Sequence, residues 1–354
     1  MYNFTIKSKI HEYNVDFISD LEDSLSKQLV DSDFLIIDKK VYNLFIEKFS
    51  SLMDKNRKIF IDATENQKSY EELIPIIKFL IESGVKKNDR LVAIGGGVTQ
   101  DVTAFIASIL YRGIEWIFYP TTLLAQGDSC IGSKTSINFG EYKNQIGGFY
   151  PPNHIYIDTN FLETLPDYEI KSGFGEMCHY FIVSSEADFF FFKNSYFEFD
   201  NNRTVLNSII SRCLAIKKRY VEIDEFDKNE RQVFNYGHSF GHAIESLTNY
   251  EIPHGIAIAF GMDIANFISL KLGYIDENTR NEIKNLLCEI WKGYQIRHLS
   301  VEKMINALSK DKKNVGNKLG LILNKGYGKI FKSMLEVDEQ FLIWLFEYFE
   351  NETD

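Results

Sequence analysis

Arg90-Leu-Val-Ala-Ile-Gly95-Gly-Gly97-Val-Thr-Gln-Asp101 is a β-rich run that breaks into three glycines and reopens as a helical pattern. Bare backbone at such a turn lets amide groups approach a pyrophosphate, and the helix N-terminus behind them favours negative charge. The stretch reads as a dinucleotide turn in a parallel α/β sheet. The third glycine of the G-x-G-x-x-G spacing is missing, because Gln100 stands there, so the spacing alone fits a tight structural turn equally well.

Working outward, similar β-rich runs flank it: Phe34-Leu-Ile-Ile-Asp38, Lys58-Ile-Phe-Ile-Asp62 and Glu115-Trp-Ile-Phe-Tyr119. They alternate with helical stretches, the rhythm of a parallel sheet. Ser69 followed by Glu72 makes a capping-box pattern, apolar residues recur through Leu80, and Gly84 supplies a stop, so a crossover helix is expected there. Asp38 ends its run where a carboxylate can accept hydrogen bonds from a ribose, although a plain strand-end Asp reads the same way. Beyond Pro166 amphipathic helices dominate as far as Phe341-Leu-Ile-Trp-Leu-Phe346, with Gly320-Leu-Ile-Leu323 as a rare β-like run. Residues 1–166 are therefore expected to form an α/β domain and residues 167–354 a mainly α-helical one. The phenylalanine run at 189–192 reads as helix core.

The chain of 354 residues is 45% hydrophobic and 25% charged, the proportions of an ordinary globular protein of about two domains. Lys+Arg 39 against Asp+Glu 50 gives a net charge of -11, which disfavours nucleic acid and anionic membrane as partners. An anionic ligand must then meet a local cationic pocket. Cys130, Cys178, Cys213 and Cys288 form no CxxC pair, which fits a reducing cytoplasm. No apolar run reaches the ~18 residues of a membrane helix, and the first residues have no signal-peptide character. A cytoplasmic protein, neither exported nor membrane-spanning, is expected.

His238-Ser-Phe-Gly-His242 sets two imidazoles at i and i+4 on one helical face, His254 follows at a fresh helix start, and Glu176 adds a carboxylate from another segment. Two histidines and one carboxylate with open positions suit a catalytic zinc, but the spacing does not choose which histidines bind. Lys134, Lys143, Lys217, Arg231 and the pair Lys312-Lys313 lie among glycine, asparagine or histidine and are candidate anion ligands, each also readable as a solvated charge. Lys143-Asn144, in the apparent turn Gly140-Glu-Tyr-Lys-Asn-Gln-Ile-Gly147-Gly148, is the best placed of them.

Taken together, Gly95-Gly-Gly-Val98, Pro120-Thr-Thr-Leu-Leu-Ala-Gln-Gly-Asp128, Gly132-Ser-Lys134-Thr, Lys143-Asn-Gln-Ile-Gly147, Gly175-Glu176, Asn235-Tyr-Gly-His-Ser-Phe-Gly-His242 and His254-Gly255 resemble 3-dehydroquinate synthase, in family order. The resemblance implies a Rossmann-like NAD domain, a helical C-terminal domain, an active site in the cleft between them, and a homodimer. It implies zinc, or another divalent metal such as cobalt, held by Glu176, His238 and His254, with His242 on the substrate phosphate instead. Lys134, Asn144, Asn235, Lys312 and Lys313 match substrate-holding positions, and Arg112 matches an arginine reaching the phosphate across the dimer. Lys217 and Arg231 match a carboxylate clamp, and Asp128 and Asp227 match acidic residues near the substrate hydroxyls. Asp38, Glu65, Lys68, Gly96, Gly97, Asp101, Thr121, Thr122, Lys134 and Lys143 fall around the NAD.

The implied activity is that of a phosphate-eliminating lyase of the shikimate route to aromatic amino acids. A phosphorylated seven-carbon keto acid is transiently oxidised by NAD, loses phosphate, is reduced again and closes to a carbocycle by aldol addition. Four residues depart from the pattern. His179 stands for a lysine close to the substrate, Ile256 for a glutamate after His254-Gly255, and Gln100 and Ser133 for glycines. An imidazole is shorter than an ammonium side chain and only partly charged near neutral pH. These departures admit a cyclase of specialised metabolism acting on another sugar phosphate. More distant readings are a glycerol-dehydrogenase-like oxidoreductase and a non-catalytic binding protein.

Overall fold

The glycine turn lies at the carboxyl end of a buried strand in a computed structural model that describes residues 2–49, 57–140, 142–199, 202–309 and 318–352. The chain divides into two units: Met1–Leu165 with Ile210–Phe226, and Pro166–Ile209 with Asp227–Asp354. The first division falls at the expected boundary near residue 166, but a single cut misses Ile210–Phe226, which returns to the first unit. The helix Arg203–Ile223 gives its residues from Ile210 onward to the first unit.

The strands of the first unit are β1 (Phe4–Ile6), β2 (Tyr13–Phe17), β3 (Phe34–Asp38), β4 (Arg57–Ile61), β5 (Leu91–Gly95), β6 (Trp116–Pro120), β7 (Lys134–Phe139), β8 (Tyr142–Phe149) and β9 (His154–Ile157). Seven make one sheet in the order β1-β2-β9-β6-β5-β3-β4, parallel throughout except for the edge pair β1–β2. Every residue of β5 and β6 is buried, as continuous apolar strands covered on both faces require. Leu35, Ile37, Val92, Ile94, Ile117 and Tyr119 share one core cluster with Leu21, Leu25 and Phe161. From β3 the chain moves outward to β4, and from β5 it moves the opposite way to β6. Strand order thus reverses between β3 and β5, and the carboxyl ends at such a reversal form the ligand crevice of doubly wound sheets. Asp38 and Gly95 end those two strands.

The expected crossover helix runs Tyr70–Glu82, with Ser69 at its N-cap but without the side-chain bond of a capping box. Gly84, at φ +77°, follows as the stop. The apparent turn at 140–148 is a correction, because most of it is strand. β8 pairs antiparallel with β7, with a register shift between Ile137 and Phe139.

In the second unit the helices Asp167–Ser184, Glu186–Phe197, His238–Leu247, Glu277–Trp291, Val301–Ser309 and Glu339–Asn351 accompany His254–Lys271, whose residues from Gly255 to Ser269 are all buried. A hairpin of β10 (Lys318–Asn324) and β11 (Ile330–Glu336) completes it, so the β-like run at 320–323 is a strand. Phe189 and Phe192 are fully buried, as a helix core requires. Among the described residues no helix is long and apolar enough to cross a membrane.

Candidate functional site

Three segments of the second unit deliver the residues with metal-binding chemistry. Glu176 lies in the helix Asp167–Ser184, and His238 and His254 are the first residues of their helices. Glycines let these helices meet. A Cβ on Gly175 would overlap the carbonyl oxygen of Gly255, and one on Gly255 would overlap that of Ser172 and stand 2.9 Å from the Glu176 amide nitrogen. Gly237, at φ +83°, turns the chain into the helix that His238 begins, and a Cβ there would lie 2.8 Å from the carbonyl oxygen of Ile258.

Glu176 Oε1 stands 3.5 Å from His238 Nε2, and its Oε2 stands 3.4 Å from His254 Nε2. Donor atoms of His238, His242 and His254 all lie within 4.8 Å of one another. His238 and His254 each have the other nitrogen committed. His238 Nδ1 faces the Tyr236 carbonyl oxygen at 3.3 Å, and His254 Nδ1 faces Glu245 Oε2 at 3.1 Å. A carbonyl or an ionised carboxylate can only accept, so both Nδ1 atoms carry a proton, and both Nε2 atoms face Glu176. Burial opposes ionisation of Glu176, but His238, His254 and His179 outweigh it and hold the carboxyl well below its usual range. For His254, burial pulls the pKa down, yet Glu176 and Glu245 win and raise it well above the ordinary histidine value. The donor set fits a divalent metal. Glu176 Oε2 is buried without a hydrogen-bond partner among the described residues, and a cation between these groups would satisfy it.

His242 is the exposed member of the histidine cluster, whereas Glu176 is buried. His179 is fully buried, with Nδ1 3.8 Å from Glu176 Oε1 and its ring 3.9 Å from Tyr180 and 5.7 Å from Phe234. Ile256 is fully buried as well. Arg231 is buried at the 3-10 turn Glu230–Asn235, Asn235 Nδ2 donates to the Gln232 carbonyl at 3.1 Å, and Asp227 adopts φ +55°. Lys312 and Lys313 lie outside the described residues.

In the first unit the helix Gly97–Ile109 starts with Gly96 at its N-cap and no side chain capping it, which leaves its first amides free for an anion. A Cβ on Gly96 would press to 2.9 Å on the Thr122 methyl, whereas Gly97 faces open space. This fits a pyrophosphate close to backbone. Gln100, in the place of the third glycine, is a clamp: its Nε2 donates to the Ser129 carbonyl and its Oε1 accepts from the Ser129 hydroxyl, both at 2.6 Å. Thr121 N donates to the Gly95 carbonyl oxygen, and Thr122 Oγ1 accepts from Ala125 N. Asp38 caps the helix Lys39–Leu44 by accepting from Lys40 N at 2.8 Å, and burial raises its carboxyl despite that bond.

Lys68 and Asp101 pair with each other at 2.6 Å. Glu65 accepts from Asn138 Nδ2 at 2.8 Å, Asn138 Oδ1 accepts from Asn144 N at 2.9 Å, and Lys143 Nζ lies 3.9 Å from Glu65. Asn138 thus ties Glu65 to Asn144, and Lys143 joins them through Glu65. Asn144 takes φ +55° there. Lys217 Nζ, largely buried, reaches Asp128 at 2.6 Å, so these two form an ion pair. Ser133 keeps a left-handed φ of +65° and donates its hydroxyl to Glu225 at 3.0 Å, while Lys134 and Arg112 are exposed. Glu245, three positions after His242 in the same helix, is a further polar residue of this cluster that the His238–His242 spacing does not reveal.

The 3-dehydroquinate synthase N-terminal model matches residues 58–172, and the 3-dehydroquinate synthase C-terminal model matches residues 173–314. In fold, the chain is like a solved 2-deoxy-scyllo-inosose synthase complexed with carbaglucose-6-phosphate, NAD+ and Co2+, at TM-score 0.83 and 24% identity over 98% of this chain and 99% of that one. It is also like 2-epi-5-epi-valiolone synthase from Streptomyces hygroscopicus subsp. jinggangensis 5008 with NAD+ and Zn2+ bound, at TM-score 0.84 and 23% identity over 96% and 97%. A 3-dehydroquinate synthase from Alkaliphilus metalliredigens is 34% identical over 332 residues, 92% of this chain and 93% of that relative. The chain belongs to the 3-dehydroquinate synthase family.

Proposed function

We propose that this chain is a phosphate-eliminating cyclase that converts a heptulosonate 7-phosphate to a carbocycle and uses NAD and a divalent metal. The observation that carries the reading is the convergence of Glu176, His238 and His254 from three helices, with a buried carboxylate oxygen that lacks a hydrogen-bond partner among the described residues. The residues fit both groups: Glu176, His238 and His254 would hold the metal, and the helix start at Gly96–Gly97 would hold the pyrophosphate. When bound, the nicotinamide supplies a reversible hydride acceptor and the metal a Lewis acid.

The rest of the work falls to the chain's own side chains. Tyr236 and Glu245 hold the protons of His238 and His254 on Nδ1, which would leave each Nε2 to give up its proton and bind the metal. His242, more exposed than its neighbours, would contact a substrate phosphate. Lys217 and Arg231 are both buried cations at the positions of the carboxylate clamp that the resemblance implies, Lys217 being paired with Asp128 here, and their presence supports a substrate that bears a carboxylate. The decisive assay supplies purified protein with NAD and Zn2+ and follows phosphate release without net NADH. The heptulosonate 7-phosphate should react. Release from heptulose 7-phosphate alone would defeat the reading and favour the second one, a cyclase for a sugar phosphate without a carboxylate. That alternative draws support from His179, whose caged ring cannot extend into substrate space as a lysine would.

A further inference from the structure

Resting on the metal-site reading above, we propose that Glu245 is a positioning residue that orients His254 for metal binding. In the helix His238–Leu247, His238, His242 and Glu245 stand at i, i+4 and i+7, along one face. That face brings the Glu245 carboxylate to His254 Nδ1 at 3.1 Å, while Nε2 of the same ring faces Glu176 at 3.4 Å. The ring is held at Nδ1 and faces Glu176 with Nε2, so its rotation is restricted.

The backbone makes this arrangement rigid. The helices His238–Leu247 and His254–Lys271 touch through glycines: a Cβ on Gly241 would stand 2.6 Å from Ile258 Cδ1, and one on Gly261 would overlap the Gly237 carbonyl oxygen. The Glu245 side chain is 13% exposed, so its charge is largely withdrawn from water and held against His254. Ile256, two residues after His254 and fully buried, offers no polar atom to the ring. A carboxylate behind a ligand histidine fixes its orientation and raises its basicity, and removing such a partner weakens metal binding by about 10–100-fold.

The test measures Zn2+ affinity by chelator competition for the full chain, Glu245→Gln, Glu245→Ala and Glu176→Gln, together with the visible spectrum of the Co2+-loaded proteins and near-UV circular dichroism of the metal-free ones. With the fold intact, Glu245→Gln should bind Zn2+ about 10-fold and Glu245→Ala up to about 100-fold more weakly, with a shifted Co2+ band. Gln keeps size and an acceptor oxygen, so it carries the test if Ala does not fold. If wild type and Glu245→Gln bind Zn2+ alike with identical Co2+ spectra while Glu176→Gln loses the metal, the positioning role is overturned and the site stands. If wild type binds no Zn2+, or Glu176→Gln binds it as tightly as wild type, the site itself falls and the positioning role with it.

Discussion

Gly255→Ala tests how closely the putting together of Glu176 and His254 depends on bare backbone. The added Cβ would stand 1.8 Å from the Ser172 carbonyl oxygen, 2.7 Å from its carbon and 2.9 Å from the Glu176 amide nitrogen. Comfortable heavy-atom contact begins at about 3.5 Å, so relieving the worst of these takes a shift of up to roughly 1.7 Å (3.5 − 1.8). All three atoms are backbone, so no side chain can swing aside to relieve the clash. Metal-ligand distances tolerate about ±0.2 Å, and the displacement exceeds that several-fold. Overpacking of this kind destabilises by about 1–3 kcal/mol. We therefore expect a loss of that size in urea denaturation of the metal-free protein and Zn2+ binding at least ~10-fold weaker, worth about 1.4 kcal/mol. Isothermal titration with Zn2+ and equilibrium unfolding measure the two separately. A variant that keeps wild-type Zn2+ affinity and stability would refute the claim that this glycine contact sets the ligand geometry.

Three other outcomes are expected. Lys217→Met strands the largely buried Asp128 carboxylate and should cost about 3–5 kcal/mol in denaturant unfolding, and adding Asp128→Asn should recover a large part of it. Gln100→Gly, which restores the glycine spacing, removes two hydrogen bonds of 2.6 Å and places glycine in a helix, so it should lose about 2–3 kcal/mol and lower the melting temperature; an unchanged melt would mean the Ser129 clamp does nothing. Glu352 is pulled up by burial but held below its usual range by Arg280 and Lys284. A depressed folded-state pKa gives stability that is present above the unfolded value, near ~4.3, and lost as pH falls through the folded value. The stability gap between wild type and Glu352→Gln, about 1 kcal/mol at pH 7, should accordingly shrink in acid-unfolding series below pH ~4 and stay level above pH ~5.

How much of this was legible depends on the range of the interaction. β3, β5 and β6 announce themselves because strands buried on both faces are continuous apolar runs, and each stands within a residue or so of its sequence signal. β1 and β9 have three and four residues, too few to show a period, and Tyr142–Phe149 carries lysine, asparagine and glycines that disfavour strand, so its pairing with β7 had to override propensity. The same limit holds in the site. His238 and His242 at i and i+4, and Glu245 at i+7, are local facts of one helix, open to anyone counting along it. The approach of Glu176 to His254 is not local, since it is made by Gly175 and Gly255, eighty residues apart, each occupying space that a single methyl group would deny the other. Donor chemistry is written in residue types, but which donors meet is decided by where backbones can touch, so Gly175 and Gly255 belong to the proposed metal site as surely as the side chains beside them.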